Sequence, residues 1–120
     1  MAHLIELPTH TDPRGSLTVL EKILPFEIKR VFWIDNLSQY PRGQHRHHVT
    51  QQALFCMRGE CEVLIKHQQE EKIFVLRQPH QGLILNPEDW HEMRNFINNP
   101  LLIVFASHYY DATDYIKEAV

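Results

Sequence analysis

Apolar residues along the chain come in short bursts rich in Val, Ile, Leu and Phe, broken by Gly, Pro, Asn and Asp every eight to twelve residues or so. That rhythm belongs to β-strands joined by turns, since a strand of roughly five residues already crosses a small core. The bursts predict strands over 4–7, 16–21, 28–35, 44–48, 51–57, 60–66, 71–76, 82–85, 91–96 and 101–107. Turn-forming clusters fall between them: Asp12-Pro13-Arg14-Gly15, Leu24-Pro25, Tyr40-Pro41-Arg42-Gly43, Arg58-Gly59, Asn86-Pro87-Glu88-Asp89 and Asn98-Asn99-Pro100. Arg58-Gly59 is predicted to be the two-residue turn of a hairpin, which would set Cys56 and Cys61 face to face across it. Helical periodicity is nearly absent. The exception is a short C-terminal helix over 114–118, with Thr113 as its cap. Ten short strands around one core predict an all-β sandwich or barrel.

At 120 residues the chain has room for one domain, 1–120, and none for a separate dinucleotide-binding unit. A hydrophobic share of 43% with 22% charged residues is that of an ordinary globular chain able to close a core. The net charge of -3 argues against a dedicated nucleic-acid binder, which would present a basic face to phosphates. The start Met1-Ala2-His3-Leu4-Ile5-Glu6 resembles neither a signal peptide nor a membrane span, so a cytoplasmic protein with no membrane partner is expected. Two cysteines are too few for a disulfide scaffold, and both are expected to be reduced and buried.

The compositional oddity is nine histidines. Three crowd into Gln44-His45-Arg46-His47-His48, and strand alternation points His45 and His47 one way and Arg46 and His48 the other. Alone, such a pair reads equally well as the polar outer face of an edge strand. Further along come Gln52, Gly59, Gly82, Pro87, His91 and Asn95, in an order that resembles the cupin signature. For a metal-binding cupin the resemblance would make His45, His47 and His91 imidazole ligands, with a carboxylate completing the shell. Gln52 occupies the acidic position, and a neutral amide is a poorer ligand for a hard cation.

A narrower likeness is carried by Asp12-Pro13-Arg14-Gly15-Ser16-Leu17, Leu24-Pro25-Phe26-Glu27-Ile28-Lys29-Arg30-Val31, Arg42-Gly43-Gln44-His45-Arg46-His47, Trp90-His91-Glu92-Met93, Ala106-Ser107-His108-Tyr109-Tyr110-Asp111 and Asp114-Tyr115-Ile116-Lys117. With these motifs the chain resembles the sugar-nucleotide 3,4-ketoisomerases, the WxcM-like branch of the cupins. The resemblance implies a double-stranded β-helix, or jelly-roll, barrel and a homodimer whose subunits exchange N-terminal strands. It implies a thymidine-diphosphate-linked 4-keto-6-deoxyhexose as substrate, no metal or other cofactor, and a 3-keto product that a transaminase can aminate for surface polysaccharide. It makes His45 and His47 the catalytic pair. The chain departs from the family at Arg46 and His48, where Ala and Lys are common, and at Phe32-Trp33, where a tyrosine pair is common.

Moving a ketone from C4 to C3 is a proton rearrangement through an enediol, with no net transfer of electrons. Imidazole titrates near neutral pH, so two histidines on one wall suit the removal of a proton from one carbon and its return to the next. Which of His45 and His47 is the base stays open at the level of sequence. Arg14, Arg30 and Arg42 are the candidate clamps on the diphosphate, because a guanidinium grips phosphate oxygens in pairs. Gln52, Trp90 and His91 complete the expected substrate contacts. Trp33 and Tyr110 also carry rings that can stack on thymine, but aromatic residues in strands belong more often to the core. His3, His10, His67, His80 and His108 read as solvated residues. Competing readings are a metal-dependent cupin built on His45, His47 and His91, a non-catalytic sugar-nucleotide binder, and a 3,5-epimerase, which also removes protons beside a 4-keto group.

Overall fold

The computed structural model describes residues 1–119. Ten strands follow in chain order: β1 (His3–Glu6), β2 (Thr9–Asp12), β3 (Gly15–Thr18), β4 (Arg30–Ile34), β5 (Arg42–His47), β6 (Gln52–His67), β7 (Glu70–Leu76), β8 (Gln81–Leu85), β9 (Trp90–Ala106) and β10 (Tyr115–Ile116). The framework is the antiparallel pair of two long strands, β6 and β9, in register from Gln52↔Ala106 to Lys66↔Trp90. β8 and then β1 extend the sheet from one end of β6, and β7 pairs with its other end. β4 lies against the C-terminal half of β9 and β5 against the N-terminal half. Leu54, Cys56, Val63, Ile65, Leu83 and Leu102 fill the space so enclosed, giving an all-β barrel of jelly-roll type. A second apolar layer, centred on Leu7, Phe55 and Ile84, covers the outer face of β6 and β8.

Both long strands depart from the predicted pattern in the same way. The bursts at 51–57 and 60–66 form the single strand β6, and those at 91–96 and 101–107 form β9. Arg58-Gly59 is therefore not a hairpin turn. Gly59 at φ 71 faces Asn98 and Asn99 at φ 61 and 51, and the register shifts there while pairing continues on both sides. Turn-type residues thus make a bulge that bends the pair from one face of the barrel to the other. Cys56 consequently pairs with Leu102, not with Cys61, and both thiols lie buried and free.

The C-terminal helix is also corrected. Ala112–Asp114 is one 3-10 turn capped by Asp111, whose carboxylate accepts the Thr113 N–H, and the chain then extends as β10 beside β5. Pairing with a free strand edge, together with the hold on Asp114 described below, outcompetes a helix too short to be stable alone. β2, unpredicted because its residues are polar, pairs with β3 in a hairpin of its own. Residues of that hairpin are exposed apart from half-buried Thr18, and among the described residues the hairpin joins no other sheet of the subunit. Among the described residues no helix is long and apolar enough to cross a membrane.

Candidate active site

Strand alternation puts His45 and His47 of β5 on one face, with ring centroids 5.1 Å apart. The β5–β9 register sets His91 opposite His45, and their rings stand 4.8 Å apart. On the other side of β5, β10 sets Tyr115 opposite His47, with the phenol ring 4.8 Å from both imidazoles. Gly43 makes the close approach of β5 to β9 possible. It sits at φ +88, and a Cβ there would come 2.9 Å from the His91 carbonyl oxygen.

A cavity of about 220 Å³ opens between β4, β5 and β9, with Arg42, His45, Gln52, His91 and Tyr115 supplying its polar wall and Phe32 part of the apolar one. Its volume lies below the roughly 300–1,000 Å³ usual for a pocket that encloses a whole drug-sized ligand. His47 stands behind this wall. It is buried, its Nε2 has no partner, and the similarly unpartnered Nε of Arg30 belongs to the guanidinium whose charge acts on it. The Arg30 guanidinium itself lies 5.2 Å from the Phe32 ring centre and 5.7 Å from that of Tyr110.

Hydrogen bonds to backbone define the tautomers of the two cavity imidazoles. His45 Nδ1 lies 3.0 Å from the Gly43 carbonyl and His91 Nδ1 lies 3.1 Å from the Asp89 carbonyl. A carbonyl only accepts, so Nδ1 carries the hydrogen in each ring and Nε2 keeps its lone pair. Burial disfavours the charged form of all three imidazoles. It lowers His45, and it lowers His47 to about 4 and His91 to about 3, with the positive charge of His45 adding to both effects. The cluster is therefore neutral at neutral pH.

These shifts predict a pH dependence of stability. The unfolded chain takes up protons on these histidines below about pH 6.5, whereas the folded chain resists until pH nears the lowered values. Their contribution to stability is complete above about pH 6.5 and is lost as pH falls toward 4 and then 3. Denaturant melts from pH 7.5 to 4.5 should show this decline, and His91→Asn should make it shallower. An unchanged slope in that variant would contradict the assignment.

Asp114 fastens the C-terminal segment to β5. Its carboxylate accepts the N–H groups of His48 and Val49 at 3.1 and 2.9 Å and the Thr50 hydroxyl at 2.5 Å. Burial pushes its pKa up, but the hydrogen bonds from Thr50 and Val49 and the nearness of His47 hold it below the usual carboxylate value. Arg46 Nε donates to the Glu118 carbonyl at 2.7 Å and Trp90 Nε1 to that of Lys117 at 2.9 Å. The departure Arg46 thus holds the segment that carries Tyr115, while His48 lends it a backbone N–H and keeps its ring exposed.

The expected site residues divide accordingly. His45, His91, Arg42 and Gln52 meet at the cavity, and His47 and Arg30 stand behind it. Arg14 does not join them: it lies in the β2–β3 turn, paired with Asp12 at 2.6 Å, its side chain 90% exposed. Trp90 does not line the cavity: alternation turns it away from His91, and its ring is buried beside Lys66. Trp33 and Tyr110 are 69% and 66% exposed, not core. His67 is not simply solvated, since its Nδ1 stands 3.1 Å from the buried carboxylate of Asp89. Tyr115 is the site residue that sequence reasoning missed. The matched stretch Asp114-Tyr115-Ile116-Lys117 marked it, but read as helix it had no reason to reach β5.

Among the described residues no three His, Cys, Asp or Glu side chains are grouped so as to hold a metal ion. Gln52 supplies an amide where a metal cupin has a carboxylate, so this donor set does not fit a cupin metal centre.

Comparison with known proteins supports a specific reading of this geometry. The family model described as FdtA: WxcM-like, C-terminal, matches residues 1–120. The chain is 42% identical over 110 residues, 89% of its own length and 79% of the relative's, to the TDP-4-oxo-6-deoxy-alpha-D-glucose-3,4-oxoisomerase of Aneurinibacillus thermoaerophilus. The structure of the sugar 3,4-ketoisomerase QdtA from Thermoanaerobacterium thermosaccharolyticum, in complex with TDP, superposes with a TM-score of 0.93 at 41% identity, covering 98% of this chain and 88% of that one. The WlaRB TDP-quinovose 3,4-ketoisomerase of Campylobacter jejuni superposes at 0.92 and 38% identity, covering 98% and 92%. A dTDP-4-dehydrorhamnose 3,5-epimerase from Bacillus anthracis, at 16% identity and 0.81, shares the fold.

Proposed function

The chain belongs to the FdtA, WxcM-like family, and on that premise we propose that it is a 3,4-ketoisomerase of TDP-linked 4-keto-6-deoxyhexoses, with His45 as the base that takes the C3 proton. One observation carries the assignment of the base. His45 alone of the β5 pair reaches the cavity wall, and the Gly43 carbonyl holds its Nδ1 hydrogen so that the Nε2 lone pair is free. The 4-keto group acidifies C3–H. His45 removes that proton, the electron pair forms the C3–C4 double bond, and charge collects on O4. Return of the proton to C4, with the O3 hydrogen passing to O4, leaves the ketone at C3 and a hydroxyl at C4. Atoms and electrons balance without an oxidant or a reductant.

His47 and His91 serve this step by staying neutral. A second charge beside a newly formed imidazolium would oppose it, and burial keeps both neighbours uncharged while His45 carries the proton. Arg42 at the cavity is placed to meet the diphosphate, with Arg30 supplying positive charge behind it. Gln52 and His91 offer neutral hydrogen-bonding groups to the sugar hydroxyls. The direct test is incubation with TDP-4-keto-6-deoxyglucose and a 3-aminotransferase in deuterated buffer. Formation of the 3-amino sugar, with deuterium at C4, is expected. Saturable binding with no exchange would leave a binding module, and exchange at C5 as well as C3 would mark a 3,5-epimerase.

The functional unit we propose is one domain per subunit in a homodimer that exchanges N-terminal strands, as the family resemblance implies. The exposed β2–β3 hairpin, which pairs with nothing else in its own subunit, supports this, and it would bring Arg14 to the partner's diphosphate. Arg14→Ala should then raise KM about tenfold or more. Co-assembled with His45→Asn chains, it should regain about a quarter of wild-type sites, because half the dimers carry one intact site. A monomer in solution, or no restored activity in the mixture, would refute the exchange.

A further inference from the structure

The turn Asn86-Pro87-Glu88-Asp89, between β8 and β9, delivers two carbonyls to the histidine cluster. The Pro87 carbonyl accepts the backbone N–H of His47 at 2.7 Å, and the Asp89 carbonyl accepts the Nδ1 hydrogen of His91 at 3.1 Å. The first contact seats the end of β5, where His47 stands, and the second sets the His91 tautomer.

The side chain of Asp89 closes this turn. Its Oδ2 accepts the Asn86 N–H at 2.9 Å, while the Asp89 N–H donates to the Asn86 carbonyl at 3.1 Å. Asn86 directs its own amide elsewhere, to Gln51 at 3.4 Å and to the Met1 carbonyl at 3.3 Å. Asp89 is 0% exposed, and its Oδ1 faces His67 Nδ1 at 3.1 Å, with no other partner for either atom among the described residues. A carboxylate so deeply buried is destabilising unless polar groups meet it. A loop that only joined two strands would be closed as well by solvated residues. A buried closure is what a fixed geometry at the 87 and 89 carbonyls requires.

Resting on the ketoisomerase reading for its effect on turnover, we propose that Asp89 is a positioning residue: by closing the 86–89 turn against His67 it fixes the His91 tautomer and the seat of His47, and so keeps both imidazoles oriented beside the base His45.

Asp89→Ala removes the closure and leaves the backbone carbonyls in the chain. Its kcat is expected to fall at least about tenfold, toward the roughly 10²-fold that a misplacement of about 1 Å costs, with KM changed less. Asp89→Asn keeps an oxygen for the Asn86 N–H and an amide for His67, and should recover turnover to within about threefold of wild type. Nitrogen-15 correlation spectra of histidine-labelled protein, with the His91 signals assigned from His91→Asn, read the tautomer directly. Hydrogen on Nδ1 is expected in wild type and Asp89→Asn, and a mixture of tautomers in Asp89→Ala. A carboxylate that merely stabilised the fold would leave that tautomer in place. Asp89→Ser fills more of the buried space than alanine and stops one atom short of the Asn86 N–H, so the same losses are expected of it if the alanine variant does not fold. In folded Asp89→Ala or Asp89→Ser, kcat within about threefold of wild type or an unmoved tautomer would overturn the inference, as would an Asp89→Asn variant as slow as alanine. Wild-type protein without turnover would overturn the ketoisomerase reading instead, and the tautomer spectra would still decide whether Asp89 sets His91.

Discussion

Asparagine in place of His45 is expected to lower kcat by about 10³-fold, within the 10²- to 10⁴-fold range of general acid–base catalysis, and to leave KM within a fewfold of wild type. The amide of asparagine can still donate to the Gly43 carbonyl that now accepts from Nδ1. The substitution therefore removes the Nε2 lone pair with little disturbance to β5. A 10³-fold loss corresponds to about 4 kcal/mol of transition-state stabilisation. His47→Asn should cost about 10²-fold, because His47 lies behind the wall and acts through its neighbour. Single-turnover release of the C3 hydrogen separates the two: it should nearly vanish in His45→Asn and be slowed in His47→Asn. If His45→Asn turned over within tenfold of wild type, the base would have to be another group, and His91 would be the next to test.

The ordering of His45 before His47 shows where sequence reasoning stops. Alternation along 44–48 placed both imidazoles on one face, and both rings do share it. Depth is another matter. It depends on β4 bringing Arg30 and Phe32 alongside, and on β10 closing over β5, and both are pairings between segments far apart in the chain. Periodicity cannot see such pairings, and for the same reason Tyr115 was invisible as a site residue. Arg14 fails differently. Its motif was legible, but its exposed hairpin finds no partner within the subunit, so one chain cannot show what it binds. The barrel itself was legible because each buried strand carries its own apolar burst between turn residues. The continuity of β6 and β9 was not, since a bulge and a turn draw on the same residue types.

That ambiguity makes Gly59 the position where the fold is most exposed to a single substitution. Gly59→Ala is expected to destabilise the protein by at least about 3 kcal/mol, from two sources that add. At φ +71 an L residue pays about 1 kcal/mol or more of backbone strain. A Cβ there would also lie 2.5 Å from the Ile97 carbonyl oxygen and 2.6 Å from that of Asn98, both backbone atoms of β9 at the bend. Neither can retreat by a rotamer change. Relief requires β9 to leave β6 where the barrel turns, with Cys56 and Cys61 of the core flanking the site. Gly15→Ala isolates the first source, because Gly15 also has positive φ, +137, but nothing lies within 4 Å of its Cβ position. Gly59→Asn isolates the second, since asparagine tolerates the left-handed region better than alanine yet carries the same Cβ. Denaturant melts should place Gly15→Ala about 1 kcal/mol below wild type, with Gly59→Ala and Gly59→Asn both well beneath it. If Gly59→Ala lost no more than Gly15→Ala, the bend would have slack, and the approach of β9 would not be what demands glycine there.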